Sequence, residues 1–408
     1  MSPHPAKLLL SLSLLLAGLA ATPALAQQAW LMTYGTGDRV EERFGHNAIW
    51  IRDAARGIDR IYNFGFFDFD KPGFYREYLF GRMVYFAIPR DPAEELAYYR
   101  WRDRDVRAQR LDLDAATIRR LGDWLEERVA PENRDFRYDY YFNNCSNRIR
   151  DALDFALDGQ LRAATENEPA SMDFRAHTRR LVEDSLPLYL GIHAGLGRPA
   201  DRPRSEWEEM FLPDIVAREA GELRVRRSDG TTGPLVAEER WLYRSTRPRP
   251  PASPSAPVGA ILLLALGSLG LVLGPVAAFR RRPGLAATGL RAWILVSCAG
   301  GLLLLFLWGA TEHRAAWRNE NLLLLNPLLA LLWRCRGGAL ERMAAGIVAA
   351  GLALAVLLKF LPGAQWNWDL LAWLLPTQAA ALFVWRTLVF RSRARNETGP
   401  ASAGPAGA

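Results

Sequence analysis

Apolar residues are gathered at the two ends of the chain and interleaved with polar ones in between. A run from Leu8 to Leu19 stands near the start. Five more runs follow residue 257, at about 258–279, 291–310, 317–333, 344–361 and 369–390. Runs of roughly twenty apolar residues have the length of a membrane-spanning helix, so the pattern predicts an α-helical membrane domain of about five spans. The third run is the weakest, because Asn326-Pro327 interrupts it. It reads as a short, kinked or partly re-entrant segment.

The middle of the chain follows shorter periods. His46, Ala48 and Trp50 fall on one face of residues 46–52 and Asn47, Ile49 and Ile51 on the other, which predicts a strand. Further strands are expected at 59–64, 82–88 and 106–113, with Tyr34 in a short loop before the His46 strand. Asp114 precedes a helix whose apolar face is Ile118, Leu121, Leu125 and Val129. An α+β domain follows from this mixture. The aromatic stretch DYYFNN then leads into Cys145, after which Ile149, Ala152, Leu153 and Ala156 recur at helical spacing. Asn143 or Asn144 is a suitable N-cap, so Cys145 is expected in the first turn of a helix.

Charge fixes the orientation of these parts. Residues 1–26 join Lys7, the apolar run and Ala24-Leu25-Ala26, the pattern of a secretory signal peptide cleaved after Ala26; an uncleaved first span is the alternative. No Cys follows that site, so the chain is not itself expected to be a lipoprotein. Residues 27–257 hold 36 bases and 39 acids, whereas residues 258–408 hold 14 bases and 5 acids. The net charge of +7 therefore arises beside the membrane runs, and the soluble part has no footprint for nucleic acid. Arg280 to Arg282 and Arg291, then Arg334, Arg336 and Arg342, then Arg391, Arg393 and Arg395 occupy alternate loops. Such loops face the cytoplasm. The expected order is a signal peptide (1–26), an exported periplasmic domain (27–246), a Pro-rich linker (247–257), a membrane domain (258–392) and a disordered cytoplasmic tail (393–408) of a bacterial inner-membrane protein. Trp366, Trp368 and Trp373 suit an interfacial aromatic belt.

Three cysteines are present, and only Cys145 lies in the exported part. A lone thiol in an oxidising compartment forms no disulfide within its domain, which leaves a reactive residue or a small buried one. Placement in the first turn of a helix favours the thiolate, because unpaired N–H groups and the helix dipole face it. A base is then required. His46, His177 and His193 are the candidates in that domain, and His46 stands out at the start of a strand after a glycine. Strand-borne His, helix-capping Cys and a polar orienter form the papain-like constellation, here with His before Cys as in circularly permuted versions. A core histidine and an inert cysteine remain the alternative.

The stretches FGHNAIWIRD, YNFGFFDFDKPGFYREYLFGRMVYF, PENRDFRYDYYFNNCSNRIRD and LYLGIHAGLGRPADRPRSEWEEMFLPD resemble the Lnb N-terminal periplasmic domain family. TEHRAAWRNENLLLLNPL resembles the transmembrane region paired with it. The family is named for a bacterial lipoprotein intramolecular transacylase, which moves an acyl chain to the α-amine of a lipoprotein's N-terminal Cys and leaves a lyso-form lipoprotein. The resemblance implies a circularly permuted papain/NlpC-like thiol-enzyme fold with His46 and Cys145 as the catalytic pair and Asn144-Cys145 opening a helix. It further implies acyl transfer from a membrane phospholipid or a diacylated lipoprotein to an amine.

Other residues complete the expectation. Asn63, on the neighbouring strand, is the candidate for orienting His46, with a turn asparagine as the alternative. The Cys145 backbone N–H and the Tyr34 hydroxyl are oxyanion candidates. Asn144, His313 and Asn321 are oxyanion or substrate candidates, the last two within an outward cluster with Thr311, Asn319 and Asn326 that serves either substrate contact or docking. Asp68, Phe69 and Phe74 line an acyl groove or pack a core. His177 and His193 are read as structural. Neither metal-ligand spacing, a phosphate loop nor a Gly-x-Ser-x-Gly elbow is present, so no metal or cofactor is expected. A cell-wall peptidase or amidase of the NlpC type, and a non-catalytic membrane scaffold or sensor, are the competing functions. The pattern leaves the oligomeric state open.

Overall fold

The computed structural model describes residues 27–277, 285 and 287–397. The expected signal peptide, Arg280 to Arg282 and most of the expected tail lie outside the described residues. The strands are β1 (Gln28–Tyr34), β2 (His46–Asp53), β3 (Ile58–Phe66), β4 (Val84–Arg90), β5 (Val106–Leu111), β6 (Asp135–Arg137), β7 (Arg224–Arg226), β8 (Thr232–Pro234) and β9 (Val236–Tyr243). The helices are α1 (Phe74–Leu79), α2 (Pro92–Trp101), α3 (Ala115–Val129), α4 (Cys145–Ala156), α5 (Gln160–Thr165), α6 (Phe174–Val182), α7 (Leu186–Gly195), α8 (Glu206–Glu209), α9 (Pro213–Glu222), α10 (Val258–Ala277), α11 (Thr288–Gly309), α12 (Ala339–Leu357) and α13 (Trp368–Glu397).

The described chain forms two compact units, and the first comprises residues up to Pro72, Met83–Pro169 and Ser205–Arg249. Its centre is a seven-stranded antiparallel sheet in the order β6-β4-β3-β2-β1-β5-β9. Alternation divides the side chains between two faces. Met32, Tyr34, Ala48, Ile61, Val106 and Ala108 pack with Tyr99 of α2. On α3, Ile118, Leu121 and Leu125 are buried, and Asp114 caps the helix by accepting from Thr117 N. Helix α4 lies against β2 and β3 and buries Ile149, Ala152, Leu153 and Ala156. The expected helical spacing is thus the buried stripe.

Five strands escaped the sequence reading, among them the three-residue β6, β7 and β8; the two longer ones are β1 and β9. β1 is buried almost throughout, so QAWLMTY lacks the polar alternation of a half-exposed strand. β9 is a sheet edge whose side chains are mostly half-buried or exposed. The first of these corrects the place of Tyr34, which closes β1 and pairs with His46 rather than lying in a loop. An interior strand leaves no periodic signal to separate it from a short apolar run.

The second unit comprises Gly73–Arg82, Ala170–Arg204 and the chain from Pro250. Four helices within Val258–Val276, Thr288–Gly309, Ala339–Phe360 and Trp368–Ala394 are long and apolar enough to cross a membrane. The third expected span is not a fifth such helix. Residues 320–332 instead form 3₁₀ turns, Glu320–Leu323 and Pro327–Leu332. Pro327 has no N–H to continue a helix, and Asn326 turns its side chain onto Leu328 N. The segment still runs the length of α11, from Trp317 Nε1 bonded to Thr311 O (3.3 Å) to Trp333 O accepting from Arg291 Nε (3.4 Å). Close approach is possible because Gly301 faces it: a Cβ there would stand 2.2 Å from Leu325 O.

Helices α6 and α7 are tied to α13 by a buried polar cluster. Arg175 donates to both Asp201 oxygens (2.7 and 3.0 Å) and to His193 Nδ1 (3.0 Å). Because a guanidinium only donates, His193 carries its proton on Nε2, which meets Asp369 Oδ1 at 2.7 Å. Tyr189 OH donates to the other Asp369 oxygen at 2.5 Å. Burial holds His193 down, at about 4, despite Asp369. His177 is also buried and accepts from Arg180 Nε at 3.0 Å.

Candidate functional site

Cys145 is the first residue of α4. Asn144 is the N-cap, its Oδ1 accepting from Asn147 N (3.0 Å) while Asn147 Oδ1 accepts from Asn144 N (2.9 Å). This reciprocal box fixes the turn that carries the thiol. The remaining donors of Asn144 reach Tyr140 O (3.0 Å) and Phe211 O (2.9 Å). His46 opens β2 directly after Gly45, whose φ of +78° suits glycine and whose Cβ, if present, would lie 2.8 Å from Tyr34 O. Glycine at position 45 is therefore a steric requirement of the β1–β2 approach.

The Cys145 sulfur and the His46 imidazole lie close enough for each to act on the other's charge. The imidazole Nε2 meets Asn63 Oδ1 at 2.9 Å, which leaves Nδ1 for the sulfur. Asn63 Nδ2 faces Glu95 Oε2 (2.8 Å) and Ile61 O (3.3 Å), two acceptors that set the amide's orientation. Glu95 Oε1 accepts from Tyr34 OH at 2.6 Å. A chain Cys145, His46, Asn63, Glu95, Tyr34 thus runs from a half-buried thiol into the core, where Glu95 is 1% exposed and Tyr34 fully buried. Tyr34 stacks on Tyr99 with centroids 3.7 Å apart.

The electrostatics favour an ion pair. Burial alone would raise the Cys145 thiol; the His46 charge, its hydrogen bond, the Asn47 backbone N–H and Ser146 outweigh it, and the pKa falls below the ordinary thiol value. Burial likewise opposes the His46 charge, yet the Cys145 charge and hydrogen bond, Asn63 and Glu95 raise its pKa. Burial raises Glu95, against the hydrogen bonds of Tyr34 and Asn63 and the charges of His46 and Arg90. A thiol of lowered pKa beside an imidazole of raised pKa is the arrangement of a thiol nucleophile.

Residues 21–184 match the family model of the Lnb N-terminal periplasmic domain. The chain carries an Lnb domain. Behind it stand four apolar helices of spanning length, and the two together suggest a membrane protein with an N-terminal periplasmic domain. No curated protein and no solved structure matches the chain. Within the Lnb domain lie Tyr34, His46, Asn63, Glu95 and Cys145 alike.

The structure joins Cys145, His46 and Asn63, and reassigns two of the expected oxyanion donors. Tyr34 spends its hydroxyl on Glu95, and Asn144 spends its amide on capping and on two carbonyls. His313 Nε2 lies 3.1 Å from Tyr78 O, and Asn321 is fully buried, donating to Ala194 O (2.9 Å) and accepting from Asn367 Nδ2 (2.6 Å). These two residues belong to the second unit. Asn319 there donates to Ala194 O and Gly195 O, so that polar cluster holds α7.

Sequence reading missed Glu95. Its only signal is the spacing of Pro92, Glu95 and Tyr99, which share the buried face of α2. Aromatic rings extend from the thiol in another direction. A Cβ on Gly65 would stand 3.6 Å from Cys145 Cβ and 3.8 Å from Tyr138 Cε2. Tyr138 then stacks on Tyr85 (4.1 Å), Tyr85 meets Phe67 at a tilt (4.9 Å) and Phe67 meets Phe69 edge to face (4.8 Å), Phe69 being 52% exposed. Among the described residues no group of three or more His, Cys, Asp or Glu side chains is placed to hold a metal ion.

Proposed function

We propose that the protein is a membrane-bound acyltransferase in which Cys145 is the nucleophile, His46 the base and Asn63 the orienter. The observation that carries this reading is Cys145 at the start of α4 with its pKa lowered by His46, which is itself bonded to Asn63, inside an Lnb domain. The thiolate attacks the ester carbonyl of a membrane lipid or lipid-modified protein. The resulting oxyanion is met by the Cys145 backbone N–H, which at the first helical position has no partner within the helix. Collapse breaks the ester C–O bond, His46 protonates the departing alcohol oxygen, and a thioester remains. An amine then attacks the thioester carbonyl and gives its proton to His46; the C–S bond breaks, leaving an amide and the thiolate.

The ring series Tyr138, Tyr85, Phe67 and Phe69 supplies the wall along which an acyl chain lies. Covalent attachment to spanning helices keeps the enzyme where such esters are found, and the basic residues beside α11, α12 and α13 favour a cytoplasmic C-terminus.

Intact-mass spectrometry after brief exposure of the detergent-purified chain to a diacylated lipopeptide tests the reading. A fatty-acyl adduct on wild type, absent from Cys145→Ser and removed by hydroxylamine, is expected. An unmodified chain whose Cys145 also resists iodoacetamide would instead favour a non-catalytic scaffold. A thiol that alkylates readily but accepts no acyl group, and cleaves cell-wall peptides, would favour the peptidase.

A further inference from the structure

At the end of the spanning helices in the second unit, α12 and α13 enclose a cleft of about 580 Å³ lined by Arg342, Arg386, Arg391 and Arg393 together with Phe383, Trp385 and Phe390. Among the described residues no carboxylate lines it. The carboxylate next to Arg342, Glu341, is buried and accepts from the backbone N–H groups of Arg336 (3.2 Å) and Gly337 (2.7 Å) and from Trp385 Nε1 (3.2 Å). Arg342 and Arg393 both donate to one acceptor, the Gly337 carbonyl oxygen. Two guanidinium groups converging on a single neutral oxygen repel each other unless an anion joins them.

The neighbouring rings define that anion. Phe383 is 61% and Phe390 74% exposed on a helix of spanning length, and in a bilayer such surface meets acyl chains. A planar guanidinium matches two phosphate oxygens at once. Basic pockets between spanning helices near the membrane surface are suited to lipid headgroups. We propose that this cleft binds the phosphodiester headgroup of an anionic phospholipid, with the acyl chains against Phe383 and Phe390. The site is independent of Cys145 and of the reaction assigned to it.

Native mass spectrometry and thermal unfolding of the detergent-purified full chain, with phosphatidylglycerol, phosphatidylcholine or inorganic phosphate added, test the proposal. Phosphatidylglycerol is expected to bind more tightly and to raise the unfolding midpoint more than phosphatidylcholine. Arg386→Gln, on the exposed side of α13, is expected to weaken phosphatidylglycerol roughly fivefold while leaving the midpoint of the lipid-free protein in place. Equal binding of the two lipids, or an affinity unchanged in Arg386→Gln, overturns the site. Equal protection by inorganic phosphate overturns the lipid and leaves a free-phosphate site.

Discussion

Replacing Asn63 by Ala removes both hydrogen bonds that link His46 (2.9 Å) to Glu95 (2.8 Å). The two losses differ in kind. Glu95 is 1% exposed, so the oxygen that loses Asn63 gains no water and keeps only Arg90 Nε at 3.9 Å, and an under-satisfied buried acceptor costs about 1–3 kcal/mol. For a part of this size that lowers the unfolding midpoint by roughly 2–12 °C, at about 2–4 °C per kcal/mol. His46 is half-buried, so water replaces its partner, but the imidazolium loses a fixed acceptor. A hydrogen bond to a charged group contributes about 1.5–3 kcal/mol, equivalent to roughly a 10- to 100-fold slower alkylation of Cys145 at neutral pH when transferred to the thiolate equilibrium. The assay is the iodoacetamide rate across pH, read by intact mass, beside a thermal scan of the same sample. Asn63→Gln, which keeps the amide, should recover part of the rate. An Asn63→Ala protein with the wild-type pH profile would refute the view that Asn63 sustains the ion pair, even if the midpoint fell.

The ion pair also dictates a pH window. Because the Cys145 pKa is lowered, its thiolate and the stability from pairing persist above that lowered value and are lost as pH falls through it; because the His46 pKa is raised, the imidazolium persists below its raised value and is lost as pH rises through it. Alkylation of wild type should therefore begin below the ordinary thiol range, and His46→Ala should move its onset upward; coincident profiles would sink the pairing. Phe69→Ala and Tyr138→Ala are expected to raise KM for long-chain acyl donors several-fold while leaving iodoacetamide rates alone, which a chain-length series measures. In the second unit, Arg175→Ala strands buried Asp201 and should cost about 3–5 kcal/mol, seen as a large drop in midpoint, whereas an unchanged midpoint would deny that cluster its structural part.

Sequence alone determined the features that depend on residues close in the chain. The α4 stripe, an asparagine cap at 143 or 144 and the thiol in the first turn all follow from about a dozen consecutive residues, because helical spacing and capping are local; the fold selects Asn144. The β2 alternation and the glycine before His46 are local in the same sense, and Asn63 was within reach because β3 follows β2 directly. Glu95 was not. It comes from a helix 32 positions beyond Asn63, and only the packing of α2 on the sheet turns a surface-looking glutamate into a buried acceptor. That packing also decided what Tyr34 does, since a hydroxyl beside a buried carboxylate satisfies it before any oxyanion forms. The third apolar run shows the same division. Its composition announced burial, but whether Pro327 kinks a helix or yields 3₁₀ turns rests on the close approach at Gly301 and on Gln378 Nε2 donating to Leu324 O. Backbone groups freed within an apolar layer must find partners, and only the folded neighbours can supply them.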